Sequence, residues 1–384
     1  MIGHGAHGGN EAKQHGKVGA RRFIQETPGN TGRPRFRPLV GRDGRGRIGG
    51  GCGFEHPRTR ETMGREPGHR RLYGPDMDTN STQTQTGRSG DDGTVAVAAC
   101  ADTARDLDRE RWLAGALAPR KARDDLAVLL AFNAEVARTR DVVSEAILGR
   151  IRLEWWRDTI RTAAAAKSDH TPDDPAVAAV LAHPVAGGLA RLLGRGALVP
   201  AQLIALVDAR EAELDDAGPG DVDDFLARID ATAGALNRAA LRILGVDTEP
   251  AREASDHAAR AYGIAGQMRA TAINAARGRV ALPHDLLAAH DVPVSALRAG
   301  SPPPGLAAVA RELAGRARRH LVAARSLHRE VPAAALPVLV TVRFARGHLA
   351  RLAHVDFDLF SNRLEPAPLA APLAVLGTML TGRY

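Results

Sequence analysis

From about residue 101 to the C-terminus, apolar residues recur every three or four positions, and this period constrains the fold more than any other feature. Leu126, Leu129 and Leu130 show the spacing early in the region, and it returns over residues 203–214. Such spacing places apolar side chains along one face of an α-helix. Runs in which β-branched and polar residues alternate are nearly absent, so the sequence predicts an all-α protein.

Prolines and candidate capping residues divide this region into nine predicted helices. Prolines lie at or near the predicted ends, where a missing backbone N–H costs little. Asp221 and Ser144 are predicted to be N-caps, because short polar side chains accept hydrogen bonds from the first helical turn. The nine helices are predicted at residues 104–117, 121–142, 144–166, 175–194, 200–215, 221–245, 250–280, 305–330 and 334–354. They indicate one large helical bundle.

The N-terminal part of the chain differs in composition from the helical region. Residues 1–76 hold 18 of the 40 glycines, and their 15 Lys/Arg and 7 Asp/Glu account for the whole net charge of +8. Glycine at this density loses much backbone entropy on folding, and no apolar period offsets that loss. We therefore expect a disordered Gly/Arg-rich and then polar extension over residues 1–100 and a helical domain over residues 101–384. Aromatic residues for base stacking are scarce in the extension, which argues against nucleic acid as a partner.

Other features of the sequence exclude several classes of protein. The two cysteines, Cys52 and Cys100, form no metal-binding or disulfide spacing. No run of 18 apolar residues is free of charge, and no apolar stretch follows Met1, so neither a transmembrane helix nor a signal peptide is predicted. We expect a cytoplasmic protein.

Four stretches of the helical region carry recognisable motifs. They are Ala131-Phe-Asn-Ala-Glu through Glu145; Ile151-Arg-Leu-Glu-Trp-Trp-Arg157 with His183-Pro184; Asp208-Ala-Arg-Glu-Ala-Glu-Leu214 with Thr232-Ala-Gly234; and Gly263-Ile-Ala-Gly-Gln-Met-Arg through Pro283. In this order and spacing, over about residues 105–290, they resemble the squalene/phytoene synthase family. The resemblance implies an isoprenoid-synthase-like helical bundle with a central cavity. Enzymes of that family join two isoprenyl diphosphates head to head, with magnesium ions held between two facing helices.

The magnesium-binding positions of that family are largely altered in this chain. The family places aspartates four residues apart, because that spacing puts both carboxylates on one helical face. Those positions fall on Ala137 and Asp141 in the first motif, and on residues that include Ala270 and Asn274 in the last motif. A magnesium cluster that binds a diphosphate needs several anionic oxygens. We therefore expect neither a metal nor another cofactor, and Mg²⁺ enters only if the protein is an active synthase.

The candidate substrate-binding residues are the polar and aromatic groups that remain in these motifs. If the alignment to the family is shifted by one helical turn, the carboxylates of Asp141 and Glu145 form a pair on one helical face. Arginines near the diphosphate position could bind phosphate without a metal, or could merely end a helix in solvent. Neighbouring tryptophans could line an isoprenoid cavity or pack in the core. The candidates are Asp141, Glu145, Arg269, Arg277, Arg279, Trp155 and Trp156; no catalytic residue is predicted.

Three stretches of the altered motifs are similar to one branch of the family, which is related to mitochondrial complex I assembly factors. These stretches are Phe132-Asn-Ala-Glu135, Arg140-Asp-Val-Val-Ser-Glu145 and Arg269-Ala-Thr271. This resemblance implies a non-catalytic scaffold or an isoprenoid-binding factor in respiratory complex I assembly. Its partners would be a respiratory-complex protein and an isoprenoid lipid or diphosphate. The alternative is an active head-to-head prenyltransferase of the phytoene or squalene synthase type.

The predicted helix over residues 305–330 is rich in arginine, with leucines between the arginines. Such a helix could lie against anionic lipid, or its arginines could simply face solvent. Peripheral contact with the inner membrane is therefore a further expectation.

Overall fold

The computed structural model describes residues 91–166, 174–215 and 217–384. All regular secondary structure in these ranges is helical, which confirms the predicted all-α class. The predicted extension lies almost entirely outside the described residues. The first helix begins at Asp91 and continues through the domain boundary predicted at residue 101, and that boundary stays a prediction.

The first half of the described chain contains nine α-helices. They are α1 (Asp91–Leu107), α2 (Arg109–Ala114), α3 (Arg120–Ala137), α4 (Thr139–Val142), α5 (Ala146–Ala165), α6 (Pro175–Leu181), α7 (Pro184–Gly194), α8 (Pro200–Glu211) and α9 (Val222–Ile229). A 3₁₀ turn, Gly115–Leu117, follows α2. A π-helical turn, Asp230–Gly234, joins α9 directly to the next helix.

The second half adds nine more. They are α10 (Ala235–Ile243), α11 (Glu249–Arg269), α12 (Thr271–Ala276), α13 (His284–Ala289), α14 (Val294–Arg298), α15 (Leu306–Ser326), α16 (Leu336–Leu339), α17 (Thr341–His354) and α18 (Ala370–Thr381). Two 3₁₀ turns, Ala333–Ala335 and Asn362–Leu364, precede α16 and α18. The helices α13, α14 and α18 had no predicted counterpart.

Several predicted helices are interrupted, and one predicted cap is wrong. Asp221 caps α9 as predicted, because its carboxylate accepts a 2.8 Å hydrogen bond from the backbone N–H of Asp224. Ser144 is not a cap: Glu145, with an extended backbone, precedes α5 and makes no side-chain capping hydrogen bond. The segment 175–194 forms two helices, because Pro184 holds His183 in an extended conformation.

The α6–α7 pair also bears on membrane topology. Within the described ranges, no single helix is long and apolar enough to cross a membrane. The α6–α7 pair passes that test by length and composition only, and the two helices are bent by 100°.

Helix α11 lies at the centre of the bundle and packs against α10, α15 and α17. Both α11 and α15, which pack against each other, bury several alanines. Small side chains let two helix axes approach closely. The buried alanines are Ala254, Ala258, Ala261 and Ala265 on α11 and Ala310, Ala314 and Ala317 on α15. The C-terminal end of α11 lies beside the pocket described next.

Candidate functional site

A pocket of about 260 Å³ opens where the ends of several helices meet. It is lined by the α3–α4 junction, the α8–α9 loop, α9 with the π-helical turn, the α11–α12 junction and residues 279–281. The pocket therefore brings together segments that are far apart in the sequence.

The two altered motifs face this same pocket. Ala137 and Asp141 line it from one side, and Ala270 and Asn274 line it from α11 and α12. The positions that the family resemblance equates with metal-binding aspartates are therefore adjacent in space. Three of these four positions carry no carboxylate.

Asp141 is bound by two arginines of the same chain. Its Oδ1 accepts hydrogen bonds from Arg277 at 2.6 Å and from Arg279 at 2.7 Å. Partial burial acts to raise the pKa of Asp141, but the hydrogen bonds and positive charges of Arg279 and Arg277 outweigh it. The pKa consequently lies below its ordinary value, and the carboxylate is ionised and neutralised by the protein itself.

The other carboxylates of the pocket are also paired with arginines. Arg210 donates a 2.8 Å hydrogen bond to Glu213, and Arg150 donates one of 2.9 Å to Asp215. Arginine side chains thus take up the negative charge that a bound cation would need.

These residues do not fit a magnesium cluster. Mg²⁺ in such sites takes carboxylate oxygens in octahedral geometry, with substrate phosphates completing the shell. Here one carboxylate is held by two guanidinium groups, and the other positions that the resemblance equates with metal-binding aspartates are alanine or asparagine. The described part of the chain also contains no group of three or more His, Cys, Asp or Glu arranged to hold a metal.

The structure separates the candidate residues from one another. Asp141 and Arg279 line the pocket, and Arg277 reaches it through Asp141. Glu145 does not line it. The chain is extended at Val143 and Glu145, so Asp141 and Glu145 lie on different elements and form no pair on one helical face.

Neither tryptophan lines the pocket. Trp156 is fully buried and makes edge-on contacts with Phe132 at a centroid distance of 5.3 Å and with His183 at 5.8 Å. Trp155 is 41% exposed on the outer face of α5. The contacts assign Trp156 to the core and Trp155 to the surface.

Arg269 points toward a buried polar cluster rather than the pocket. Its guanidinium lies 3.3 Å from Nε2 of His348 on α17. Arg351 donates a 2.6 Å hydrogen bond to Nδ1 of His348, which leaves the proton on Nε2, where it is donated to Glu110 at 3.0 Å. The hydroxyl of Tyr262 donates to the same Glu110 oxygen at 2.7 Å.

Burial sets the charge state of this cluster. Burial lowers the pKa of His348 and outweighs the opposing influence of Glu110, so the imidazole is neutral at pH 7. For Glu110, burial acts to raise the pKa, but hydrogen bonds from His348 and Tyr262 lower it overall. The cluster ties α2, α11 and α17 together.

Apart from Arg269, the residues of this cluster were not predicted from the sequence, and neither were several residues of the pocket. Arg210 and Gln267 lie within two of the quoted motifs and line the pocket, but they were not among the candidates. Arg228 also lines the pocket and lies outside every quoted motif. Thr232, from a quoted motif, also lines it, and its hydroxyl donates to the backbone carbonyl of Arg228 at 2.7 Å within the π-helical turn. For Arg228 the only signal in the sequence was its four-residue spacing from Thr232, and that spacing is common in ordinary helices.

Comparison with known proteins establishes the family. The sequence profile of the squalene/phytoene synthases matches residues 104–370, well over half of the chain. The protein therefore belongs to the squalene/phytoene synthase family.

Its curated relatives carry a narrower name. The chain is 30% identical over 304 residues to human "NADH dehydrogenase (ubiquinone) complex I, assembly factor 6", covering 79% of this chain and 87% of that protein. The protein of the same name from Bos taurus is 30% identical over 285 residues, covering 74% and 82%. A Drosophila melanogaster homolog is 26% identical over 287 residues, covering 74% and 84%.

Solved structures confirm the isoprenoid-synthase-like helical fold. A squalene synthase from Alicyclobacillus acidocaldarius superposes with a TM-score of 0.59 at 18% identity, covering 69% of this chain and 95% of that one. A dehydrosqualene synthase in complex with a ligand gives a TM-score of 0.60 at 14% identity, covering 76% and 97%.

Proposed function

We propose that this protein acts as a non-catalytic helical scaffold in the assembly of respiratory complex I. The single observation that carries the proposal is that Arg277 and Arg279 bind Asp141 in the pocket where family enzymes are expected to hold magnesium. The names of the curated relatives supply the process in which the scaffold acts. Its partner would be a complex I subunit or another assembly protein, and the two would bind at the inner membrane, where that complex is assembled.

The alternative, an active head-to-head prenyltransferase, has weaker support. Departure of a diphosphate leaves negative charge that must be neutralised, and metal ions do this in such enzymes. The pocket offers arginines, but Arg279, Arg210 and Arg228 are each paired with a carboxylate. A diphosphate would have to displace those carboxylates before it could bind.

Binding of an isoprenoid lipid or diphosphate stays a prediction. Pockets for drug-sized ligands measure about 300–1,000 Å³, and the pocket at the altered motifs measures about 260 Å³. A second pocket inside the bundle, lined by Leu126, Leu130 and Val338 among others, measures about 30 Å³. Both volumes favour a filled scaffold over a cavity for two long prenyl chains.

Deletion of the encoding gene in its own host tests the proposal. We expect NADH:ubiquinone oxidoreductase activity and the amount of complex I on native gels to fall together, while succinate oxidation stays unchanged. The wild-type gene should restore complex I. Asp141→Asn should restore it as well, because a scaffold does not need a metal-binding carboxylate.

Two results would contradict the proposal. Normal complex I in the deletion strain would remove the assembly role. Restoration by the wild type but not by Asp141→Asn, with both proteins present at equal levels, would point to chemistry in the pocket.

A further inference from the structure

The C-terminal helix α18 exposes a continuous apolar stripe. Its members follow a spacing of four, three and four residues, which places them on one helical face. They are Leu369, Leu373, Leu376 and Leu380, each between 49% and 77% exposed. The opposite face of α18 is buried through Ala371, Val375 and Thr378. The leucine stripe therefore points away from the protein.

The stripe lies in an uncharged segment. No charged residue occurs between Glu365 and Arg383. A helix of this length measures roughly 18 Å, whereas the hydrocarbon core of a bilayer is about 30 Å thick. The helix is thus too short to cross a membrane, but it can lie flat with its leucines in the acyl boundary.

Arginines flank the stripe at the C-terminal end of α18. Arg343 lies against this end, with Nε donating to the backbone carbonyl of Arg383 at 3.1 Å and a terminal nitrogen 3.2 Å from Oγ1 of Thr381. Burial, together with the charges of Arg346 and Arg325, lowers the pKa of Arg343. The hydroxyl of Tyr384 donates to the carbonyl of Ala324 at 3.1 Å, which places the C-terminus beside the end of α15. Four arginines therefore lie on the elements that meet here, on α15, on α17 and after α18.

Two other arginines of α15 have partners within the protein. Arg316 forms an ion pair with Glu312 at 2.8 Å, and the Arg311 guanidinium lies over the Phe357 ring at 5.4 Å. By contrast, Arg325, Arg343, Arg346 and Arg383 form no ion pair with any carboxylate in the part of the chain that the structure describes. Their mutual repulsion is relieved by no acidic side chain there, so an external anion would stabilise them.

We propose that the leucine stripe and these four arginines form a surface that docks onto an anionic lipid bilayer; we call it the C-terminal surface. Leucines would enter the boundary between head groups and acyl chains, and the arginines would meet anionic head groups. The charge complementarity favours a bilayer over a second copy of this chain, since two copies would bring two arginine clusters together. The surface shares no residue with the pocket, and its test does not depend on the assembly function.

Vesicle flotation with the full chain tests the proposal. We expect the protein to float with vesicles of phosphatidylglycerol and phosphatidylcholine, to remain unbound with phosphatidylcholine alone, and to bind less as salt is raised. Each arginine near an anionic surface contributes about fivefold in affinity, so Arg325→Glu/Arg346→Glu should weaken binding at least tenfold. Leu373→Asp/Leu380→Asp should weaken it to a similar degree.

Matched variants elsewhere on the surface serve as controls. Arg138→Glu/Arg191→Glu makes the same charge change at exposed arginines, and Ile147→Asp/Ile151→Asp makes the same polarity change at residues that are 54% and 61% exposed. Both controls should retain binding within about twofold. Equal losses in the control and test variants, or no binding by the wild type, would overturn the proposal. So would a dimer that Leu373→Asp/Leu380→Asp converts to monomer without any change in vesicle binding.

A second measurement separates this contact from attraction by the N-terminal segment, whose residues 1–76 carry a charge of +8. A nitrobenzoxadiazole label on Leu380→Cys, in a Cys52→Ser background, reports on the C-terminal surface itself. Cys100 is buried, and burial raises the pKa of its thiol to about 11, so it should resist labelling. We expect a blue shift with anionic vesicles at position 380 and none for the same label on Ile147→Cys. An unshifted label at position 380 on vesicle-bound protein would overturn the proposal.

Discussion

The guanidinium of Arg279 donates a 2.7 Å hydrogen bond to the carboxylate of Asp141, although 138 positions separate the two residues in the sequence. Asp141 is the carboxylate that survives from the family's metal-binding motifs. Where the family resemblance predicts a magnesium site, the structure has a contact between the α3–α4 and α12 regions, in which the positive charge belongs to the protein itself.

This contact should contribute to stability in proportion to its burial. The Arg279 side chain is 17% exposed and that of Arg277 is 50% exposed. We expect Arg279→Gln to lower the free energy of unfolding by about 1 kcal/mol and Arg277→Gln by less than about 0.5 kcal/mol, because solvent screens exposed pairs. Urea unfolding measures both. In an Asp141→Asn background the effect of Arg279→Gln should largely vanish, and an undiminished effect would show that Arg279 acts through other groups.

Carboxylates introduced at the altered motif positions should create affinity for Mg²⁺. The triple variant Ala137→Asp/Ala270→Asp/Asn274→Asp places three new carboxylates around the pocket, so isothermal titration should detect Mg²⁺ binding at least tenfold tighter than in the wild type. Adding Asp141→Asn should weaken that binding again. Wild-type protein that binds Mg²⁺ as tightly as the triple variant would contradict our description of the pocket.

Two glycines of α11 offer a direct check on the packing beside the π-helical turn. A Cβ at Gly263 would come 2.5 Å from Cγ2 of Ile229, whereas a Cβ at Gly266 meets no atom within 4 Å. Gly263→Ala should therefore destabilise the protein by about 1–3 kcal/mol. Gly266→Ala should stabilise it by about 0.5–1 kcal/mol, because alanine favours a helix over glycine. Thermal or urea unfolding compares the two, and effects of equal sign would contradict the packing.

A histidine pair between α11 and α15 should make stability depend on pH. Nδ1 of His320 lies 3.0 Å from Nδ1 of His257. Burial, and then the charges of His257 and Arg260, lower the pKa of His320 to about 4. Since an unfolded histidine titrates near pH 6.5, the unfolded state binds this proton more readily. Stability should be complete above pH 6.5 and decline as the pH falls from about 6.5 toward 4, by about 1–2 kcal/mol given partial exposure.

The variant His320→Gln identifies the source of this decline. Urea unfolding at pH 7.5, 6 and 5 should show a flatter pH dependence in His320→Gln than in the wild type. His354→Gln, at an exposed position, should leave the wild-type slope unchanged. An unaltered slope in His320→Gln would assign the pH dependence to other groups.

The helical class and the meeting of the two altered motifs could be predicted from the sequence. Apolar period and proline positions locate most helices, and the family resemblance brings Ala137 and Asn274 to the same pocket. The partners of Asp141 could not be predicted, because Arg277 and Arg279 reach it only through tertiary packing. The π-helical turn was also missed, since its residues have ordinary helical spacing.

Helix α18 was not predicted from the sequence, for a different reason. Its apolar residues follow a helical period, but the prolines before it and its small size hide it from a search for long amphipathic helices. The predicted cap at Ser144 is wrong because a suitable side chain does not by itself fix where a helix begins. The backbone conformation decides that, and α5 begins one residue later, after the extended Glu145.

The most direct test of the central claim is an assay of purified full-length protein with labelled farnesyl and geranylgeranyl diphosphate, with and without Mg²⁺, that follows pyrophosphate release and prenyl coupling together. Circular dichroism on the same sample establishes that it is helical, and an active family synthase serves as positive control. We predict no metal-dependent release, because Arg277 and Arg279 occupy the carboxylate that magnesium would need. Release of pyrophosphate that requires Mg²⁺ and is lost in Asp141→Asn would contradict the account and identify the protein as a working synthase.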